Sequence, residues 1–124
     1  MLKVKTKLGI SNIHGIGLFA DEFIPKGAMI FVEDEFTKIL TVDEYEKLEP
    51  IQKNFFKRYS YYKNDVYKCS LDNDRFMNHS DTPNTFDINE YTFAMYDINI
   101  GDEITCNYDD ICDDNWWESE ENID

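Results

Sequence analysis

The sequence has 124 residues, a mass of 14.7 kDa and 42% hydrophobic residues, which allow a single domain with a packed core and exclude a chain that is disordered throughout. Twelve Lys and Arg side chains against 26 Asp and Glu side chains give a formal net charge of −14. A charge of this sign repels phosphate backbones and anionic lipid head groups, so it argues against direct binding to nucleic acids or membranes and suits a basic partner, although acidity often reflects solubility alone.

No apolar run approaches the roughly 18 residues of a membrane helix, and residues 1–11 lack the apolar stretch of a secretion signal. Three cysteines, an odd number without a C-x-x-C pair, indicate a reducing compartment. We therefore expect a soluble protein of the cytoplasm or of a host nucleus. Cys106 and Cys112 are close enough in sequence to share a metal with His14 or His79, but buried thiols are the preferred interpretation and no metal site is predicted.

The first predicted element is a strand over residues 4–10, where apolar residues or threonine alternate with lysines or glycine. A period of two is typical of a half-buried strand. Two further strands are predicted at residues 18–20 and 28–32, and the turn at residues 24–27 separates them.

A helical block follows these strands. Thr41 and Glu44 have the spacing of a capping box, in which the Thr hydroxyl accepts from the third backbone N–H while the Glu side chain reaches back to the cap. The sequence therefore predicts a helix that begins at Val42, breaks near Pro50 and resumes to about Tyr59.

Beyond the helical block, Tyr- and Val-rich fragments alternate with Asn, Asp and Gly clusters. These fragments predict short strands near residues 66–71, 85–88, 91–96 and 103–107. The predicted fold class is therefore mostly β, with one helical insert near residues 42–59.

The last 16 residues, 109–124, contain eight acidic and no basic side chains. Self-repulsion argues against independent packing, so we predict one domain over residues 1–108 and an acidic tail over residues 109–124. Trp116 and Trp117 favour docking of this tail, because adjacent indoles normally cover an apolar surface, so docking and disorder both stay open.

Three segments contain residues that are candidates for ligand binding or catalysis. In the first, Gly15 and Gly17 flank Ile16, and two such glycines allow positive φ and close approach of backbone N–H groups to a ligand. The third glycine and the long helix of a dinucleotide-binding fold are missing, and a tight turn between two strands is the structural alternative.

The second segment runs from Arg75 to Asn84 around an Asn-His-Ser core. An Asn side chain both donates and accepts, which lets Asn78 hold a zwitterionic group, whereas a surface loop with an Asx turn is the structural alternative. A Ser–His hydrolase is rejected, because His79 and Ser80 are adjacent and would point opposite ways in a strand, and no nucleophile elbow surrounds Ser80. The third segment is a turn that leads into a short strand ending at Tyr108, a pattern that any hairpin can show.

In this order the three segments closely resemble the motifs of the SET-domain protein lysine methyltransferases. Gly15 and Gly17 match the family's Gly-x-Gly turn, and the run that starts at Arg75 matches Arg-Phe-x-Asn-His-Ser-x-x-Pro-Asn at every defined position. The third motif, Gly-Glu/Asp-Glu-Leu-Thr-x-Asp-Tyr, is matched by Gly101, Asp102, Glu103, Thr105 and Tyr108, with Ile104 for Leu and Asn107 for Asp. The resemblance covers about residues 10–108 and implies the SET-domain (β-clip) fold, in the compact stand-alone form of bacterial and viral members.

Two positions depart from the family pattern. Asp81 stands where zinc-binding members have a cysteine, and no Cys-x-Cys cluster follows Tyr108, so the family's zinc-bound tail is absent. Asn107 removes a charge near the family's catalytic tyrosine. Trp116 or Trp117 is therefore a candidate for the cofactor lid that the zinc module would otherwise provide.

The resemblance implies transfer of a methyl group from S-adenosylmethionine to a lysine ε-amine of a basic, histone-like protein, with cofactor and peptide entering from opposite faces. It implies that Tyr108 is catalytic, and we expect it to orient the amine, since a phenol with a pKa near 10 is rarely ionised at neutral pH. Tyr59 and Tyr61 are candidates for the substrate channel and would share one face of a strand. The cofactor-binding residues implied by the motifs are Gly15, Ile16, Gly17, Arg75, Phe76, Asn78, His79 and Tyr108.

Two functions of other classes stay open. A SET-fold binding module without turnover is motivated by Asn107 and the missing zinc tail. An acidic DNA mimic that sequesters basic proteins is motivated by the net charge alone.

Overall fold

The computed structural model of the chain describes residues 1–112, in which short strands outnumber helices. The strands are β1 (Thr6–Ile10), β2 (Ile16–Ala20), β3 (Met29–Val32), β4 (Thr37–Thr41), β5 (Tyr61–Lys63), β6 (Val66–Ser70), β7 (Asn78–His79), β8 (Thr85–Ile88), β9 (Tyr91–Ala94) and β10 (Thr105–Cys106). The α-helices are α1 (Val42–Glu46) and α2 (Pro50–Tyr59), and 3₁₀ helices span Asn73–Phe76 and Tyr108–Asp110. The predicted mostly β fold class is confirmed.

The strands form small sheets with short-range and long-range pairings. β1 and β2 form an antiparallel hairpin, and the antiparallel sheets β3-β9-β8 and β4-β6-β5 have three strands each. β7 and β10 form a parallel pair, with Asn78 opposite Thr105 and His79 opposite Cys106. This last pair joins the second and third sequence motifs.

The main core includes buried side chains of strands β2, β3 and β9. Leu18 of β2, Ile30 of β3 and Ala94 of β9 are fully buried, and they pack with Ile24 and Ile104 from connecting segments. Full burial of a Leu or Ile side chain stabilises the fold by roughly 1.5–3 kcal/mol. The core therefore fixes the hairpin β1-β2 against the segment that leads into β10.

A second, smaller core holds the helical insert. Tyr45 of α1 stacks on Tyr67 of β6 with ring centroids 4.2 Å apart, and Leu40 of β4 is buried beside them. Helix α2 contributes Phe56 to this cluster from its partly buried side. The insert is thus attached to the sheet β4-β6-β5.

The helix predictions are confirmed at both ends of the insert. The Thr41 Oγ1 accepts the Glu44 N–H at 3.1 Å, and the Glu44 carboxylate accepts the Thr41 N–H at 2.9 Å, which is the predicted capping box. α2 begins with Pro50 at its first position and ends at Tyr59. Local signals of capping and of proline were sufficient here.

Every predicted strand overlaps an observed one, although β2 begins at Ile16, two residues before the predicted start, and two expectations about strands were wrong or incomplete. Leu8 and Ile10 are 40% and 86% exposed, because β1 pairs with β2 alone within the described residues and no layer covers this end of the hairpin. The sequence analysis also missed β4, β5 and β7, which are too short or too mixed in polarity to show a period of two.

The packed part of the chain continues beyond Tyr108. Ile111 lies against the main core, and the Cys112 side chain is buried. The expected tail therefore begins with residues that contact the domain, and its remainder lies outside the described residues.

We expect Thr41→Ala to lower the free energy of unfolding by about 1 kcal/mol, since it removes the hydroxyl that accepts the Glu44 N–H. Thr41→Ser keeps this hydroxyl and is the matched control. Urea unfolding followed by circular dichroism measures both variants. Equal midpoints for the Ala and Ser variants would show that the cap does not contribute.

Candidate active site

The site is organised by the parallel pair β7-β10, which is held in place by the Pro-Asn turn of the second motif. Asn84 donates through Nδ2 to the Glu103 carbonyl at 2.8 Å and accepts the Thr105 N–H at 2.9 Å. Thr85 donates its hydroxyl to the Thr105 carbonyl at 2.7 Å. Residues that the sequence separates by some twenty positions therefore form one unit, and Asn84 has a structural role.

On one side of this unit, the Asn78 side chain joins the second motif to the first through hydrogen bonds. Its buried amide Nδ2 donates to the carbonyls of His14 at 3.0 Å and Ile16 at 3.4 Å, and to the Glu103 carboxylate at 3.0 Å. The amide nitrogen thus has three acceptors, and the side-chain Oδ1 is the atom of Asn78 that is left to accept.

The two glycines of the first motif are required for different reasons. Gly15 has a φ of +47°, in the left-handed region that favours glycine. Gly17 has no such constraint, but a Cβ placed on it would overlap the Glu103 carboxylate and lie 3.1 Å from the Ser11 Cβ. Positive φ is therefore confirmed at Gly15, and close approach at Gly17 is to a carboxylate of the chain itself.

Glu103 is a residue whose role the sequence analysis missed. It was recognised as a match to the third motif, but its carboxylate also accepts the Ser11 hydroxyl at 2.8 and 2.9 Å and the Asn78 amide. Ser11 and Glu103 are 92 positions apart, so no local pattern could have shown this contact. One side chain thereby joins all three motifs.

On the other side of the unit lies a cavity of about 280 Å³. Tyr59, Tyr61 and Tyr108 line it together with Arg75 and Met77. The expectation that strand alternation would align Tyr59 with Tyr61 was wrong, because Tyr59 is the last residue of α2. Both tyrosines nevertheless face the same cavity as Tyr108.

Tyr108 is anchored at both its hydroxyl and its backbone. The hydroxyl donates to the Met77 carbonyl at 2.8 Å, and the backbone N–H donates to Nδ1 of His79 at 3.0 Å. Burial raises the pKa of Tyr108 above its usual range, and the nearby Cys106 and Cys112 raise it further. The phenol therefore stays protonated at neutral pH and acts as a donor.

The His79 side chain links Tyr108 to Asp81. Because Nδ1 accepts the Tyr108 N–H, the imidazole hydrogen lies on Nε2, which is 2.9 Å from the Asp81 carboxylate. Asp81, at the position of the family's cysteine, thus holds the imidazole in one tautomer. The motifs predicted His79 only as a cofactor-binding residue, so this side-chain contact was not foreseen.

Asn107 has a local structural role. Its side chain accepts the Asp109 N–H at 2.9 Å and caps the 3₁₀ helix that contains Tyr108. Asn and Asp are comparable caps, so this replacement leaves the support of Tyr108 intact.

Charged side chains of both signs line the cavity: the acidic ones are Glu33, Asp74, Asp87, Glu90 and Asp110, and the basic ones are Lys57, Arg58, Lys63, Lys68 and Arg75. Glu33 is paired with Lys68 at 3.0 Å and accepts the Tyr61 hydroxyl at 2.9 Å. Asp74 and Asp87 accept hydroxyls of Ser70 and Thr92, respectively, and neither forms an ion pair within residues 1–112. Burial raises the pKa of Asp74 to about 7 and raises that of Asp87 as well. Asp74 and Asp87 are therefore partly buried carboxyl groups of the wall that are available to an entering cation.

Arg75 lines the cavity, which lies on the side of the β7-β10 pair away from the acceptors around Asn78. Its Nη1 donates to the carbonyls of Leu71 at 3.2 Å and Asp72 at 3.3 Å, and its guanidinium lies 4.9 Å from the Phe76 ring centroid. A cofactor-binding role for Arg75 and Phe76 stays a prediction. The proposed lid residues Trp116 and Trp117 lie outside the described residues.

Neither a metal cluster nor a membrane-spanning helix is found within residues 1–112. No group of three or more His, Cys, Asp or Glu side chains there is placed to hold a metal ion. The side chains of Cys69, Cys106 and Cys112 are buried, and none of them forms a disulfide within this part of the chain. The helices of this part are too short or too polar to cross a bilayer.

Comparison with known proteins agrees with this geometry. The sequence model of the SET domain family matches residues 15–109, whereas curated protein sequences give no significant match. The fold is similar to the crystal structure of a Plasmodium falciparum protein named as a histone methyltransferase, at 24% identity and a TM-score of 0.62, over 94% of this chain and 99% of that one.

A second similar structure is a humanised mutant of Chaetomium thermophilum Polycomb Repressive Complex 2 bound to an inhibitor. The identity is 20% and the TM-score 0.65, over 90% of this chain but only 16% of that one. At these identities the likeness is one of fold.

We expect Asp74→Asn to stabilise the protein at pH 8 and to have little effect at pH 4. The pKa of Asp74 is raised to about 7 in the folded chain, so the wild type loses stability as the pH rises from about 4 to 7 and the buried carboxyl ionises. The variant keeps an acceptor for Ser70 without the charge, and its gain at pH 8 is on the order of 1–2 kcal/mol. Urea unfolding at both pH values measures it, and a gain that does not depend on pH would contradict the assignment.

Proposed function

We propose that this chain, which belongs to the SET domain family, transfers a methyl group from S-adenosylmethionine to the ε-amine of a protein lysine. The observation that carries the proposal is the position of Met77 and Asn78 between the cavity and the group of acceptors formed by His14, Ile16 and Glu103. The Met77 carbonyl accepts the Tyr108 hydroxyl at the cavity, whereas the Asn78 side chain contacts the turn of the first motif. Two ligands that approach from opposite sides could therefore meet at this segment.

The pocket around Asn78 suits the amino-acid end of the cofactor. SET-domain methyltransferases generally use S-adenosylmethionine, which supplies a methyl group on a positively charged sulfur when bound. The carbonyls of His14 and Ile16, the Asn78 Oδ1 and the Glu103 carboxylate are acceptors that fit an ammonium group. The lack of a side chain at Gly17 keeps the turn close to them.

The cavity suits a lysine side chain. The faces of Tyr61 and Tyr108 tolerate a cation, and the carboxylates of Asp74 and Asp87 attract one. Once a substrate lysine side chain is inserted, its apolar stem and the tyrosine rings of the cavity exclude water. Loss of water lowers the pKa of the ε-amine, so that the nitrogen lone pair becomes available. The Tyr108 hydroxyl, held by Met77, orients the nitrogen, and its raised pKa argues against a role as general base.

A basic protein is the proposed substrate class. The net charge of −14 supports it, as do the names of the two similar structures, one a histone methyltransferase and the other a Polycomb complex. A binding module without turnover is less well supported, because Asn107 caps the helix of Tyr108 as an Asp would. No contact within residues 1–112 favours a DNA mimic.

The activity is tested by incubating the protein with methyl-labelled S-adenosylmethionine and a lysate that contains lysine-rich proteins. Mass spectrometry should identify labelled lysines. Cofactor binding without any labelled lysine would support the binding module instead.

We expect Asn78→Ala to weaken S-adenosylmethionine binding by roughly 10- to 100-fold, which corresponds to about 1–3 kcal/mol for a buried polar group that loses its partners. Isothermal titration calorimetry measures the affinity. Asn99→Ala, at an exposed asparagine, is the control and should bind normally. Unchanged affinity in a folded Asn78→Ala variant would remove the cofactor from this pocket.

We expect Tyr108→Phe to lower turnover at least tenfold while cofactor affinity changes little, since the hydroxyl acts at the reacting nitrogen and the ring keeps its packing. Label transfer and calorimetry separate the two quantities. Tyr96→Phe, at a tyrosine that is 58% exposed, should behave like the wild type. A loss confined to cofactor binding would show that Tyr108 serves packing alone.

A further inference from the structure

The carboxylate of Glu103 is a partly buried negative charge with neutral partners. Its hydrogen-bond donors are the Ser11 hydroxyl at 2.8 and 2.9 Å and the Asn78 amide at 3.0 Å. Within residues 1–112, no Lys, Arg, His or N-terminal ammonium forms an ion pair with it. Neutral donors offset only part of the free energy that a carboxylate loses when it leaves water.

The groups around Glu103 are also acceptors. The carbonyls of His14 and Ile16 converge on the same Asn78 amide nitrogen, and the Asn78 Oδ1 accepts no hydrogen bond from the described residues. These acceptors and the Glu103 charge therefore favour a ligand that donates several hydrogen bonds and carries a positive charge. An ammonium group has three N–H donors, whereas a sulfonium has none, so the amino end of the cofactor meets both demands.

We propose that Glu103 makes this pocket selective for a ligand with an α-ammonium group. The Glu103 charge complements the ammonium, and its hydrogen bond to Nδ2 turns Asn78 so that Oδ1 faces the ligand. The inference rests on the proposed function, because it assigns a role within the same cofactor pocket. It also explains Gly17, since a Cβ there would displace the carboxylate.

A purely structural role for Glu103 makes a different prediction. If the carboxylate only ties Ser11 to Asn78, its loss would loosen the turn of the first motif and weaken every ligand of the pocket to the same extent. If it recognises the ammonium, its loss matters only for ligands that carry one. Two ligands that differ in this group alone separate the two roles.

The experiment compares S-adenosylhomocysteine with its desamino analogue, which keeps the adenosine, the sulfur and the carboxylate. Calorimetry measures both affinities for the wild type and for Glu103→Gln, and thermal unfolding verifies that the variant is folded. We expect Glu103→Gln to weaken S-adenosylhomocysteine about 10- to 100-fold. The desamino analogue should bind the variant as well as the wild type or better, because the repulsion between two carboxylates is removed.

Two further variants complete the test. Ser11→Ala removes a neutral donor and leaves the charge, so it should keep the wild-type preference for the amino ligand. Gly17→Ala displaces the carboxylate without changing its charge and should reduce that preference, which tests the proposal even if Glu103→Gln does not fold. Equal weakening of both ligands by Glu103→Gln, or an unchanged preference in Gly17→Ala, would overturn the inference and leave the proposed function standing. A wild-type protein that binds neither ligand would overturn both.

Discussion

The parallel pairing of β7 with β10 is the constraint on which the candidate site depends. Each strand has only two residues, so the pair has little stability of its own, and the side chains of Asn84 and Thr85 hold it together. The pairing places Asn78 and His79 beside the segment that ends at Tyr108. Glu103 precedes β10 and Tyr108 follows it. The acceptors around Asn78 therefore lie at one end of β10, and the cavity lies at its other end.

The parts of the fold that the sequence predicts are those with local causes. The cap at Thr41 and the helix start at Pro50 depend on neighbours within a few residues, and the strands with a clear alternation were found. Alternation indicates which side chains share a face, but it does not show that anything covers that face, as the exposed Ile10 demonstrates. Tertiary contacts decide that question.

The same division holds within the site. The motifs identify Asn78 and Tyr108 by their order in the chain, yet neither the pocket around Glu103 nor the hydrogen bond from Tyr108 to the His79 ring could be predicted. Both contacts join residues that are far apart in sequence, and each involves a side chain that the motif alone describes only as a match. The sequence shows that Glu103 is charged, but only the tertiary contacts show that its hydrogen-bond partners are neutral.

Removal of water has two consequences at the cavity. Burial raises the pKa of Tyr108 and keeps its hydroxyl as a donor to Met77, and it raises the pKa of Asp74 to about 7, so that this carboxyl is only partly ionised at physiological pH. An entering cation would reverse the second effect, because a positive charge nearby favours the ionised carboxyl. The Tyr108 hydroxyl and backbone N–H bond to Met77 and His79, the two neighbours of Asn78, so a shift of Tyr108 relative to that residue would break these hydrogen bonds. The separation of the two pockets is therefore set by one short stretch of backbone, and a ligand that pulls on Asn78 also acts on the position of Tyr108.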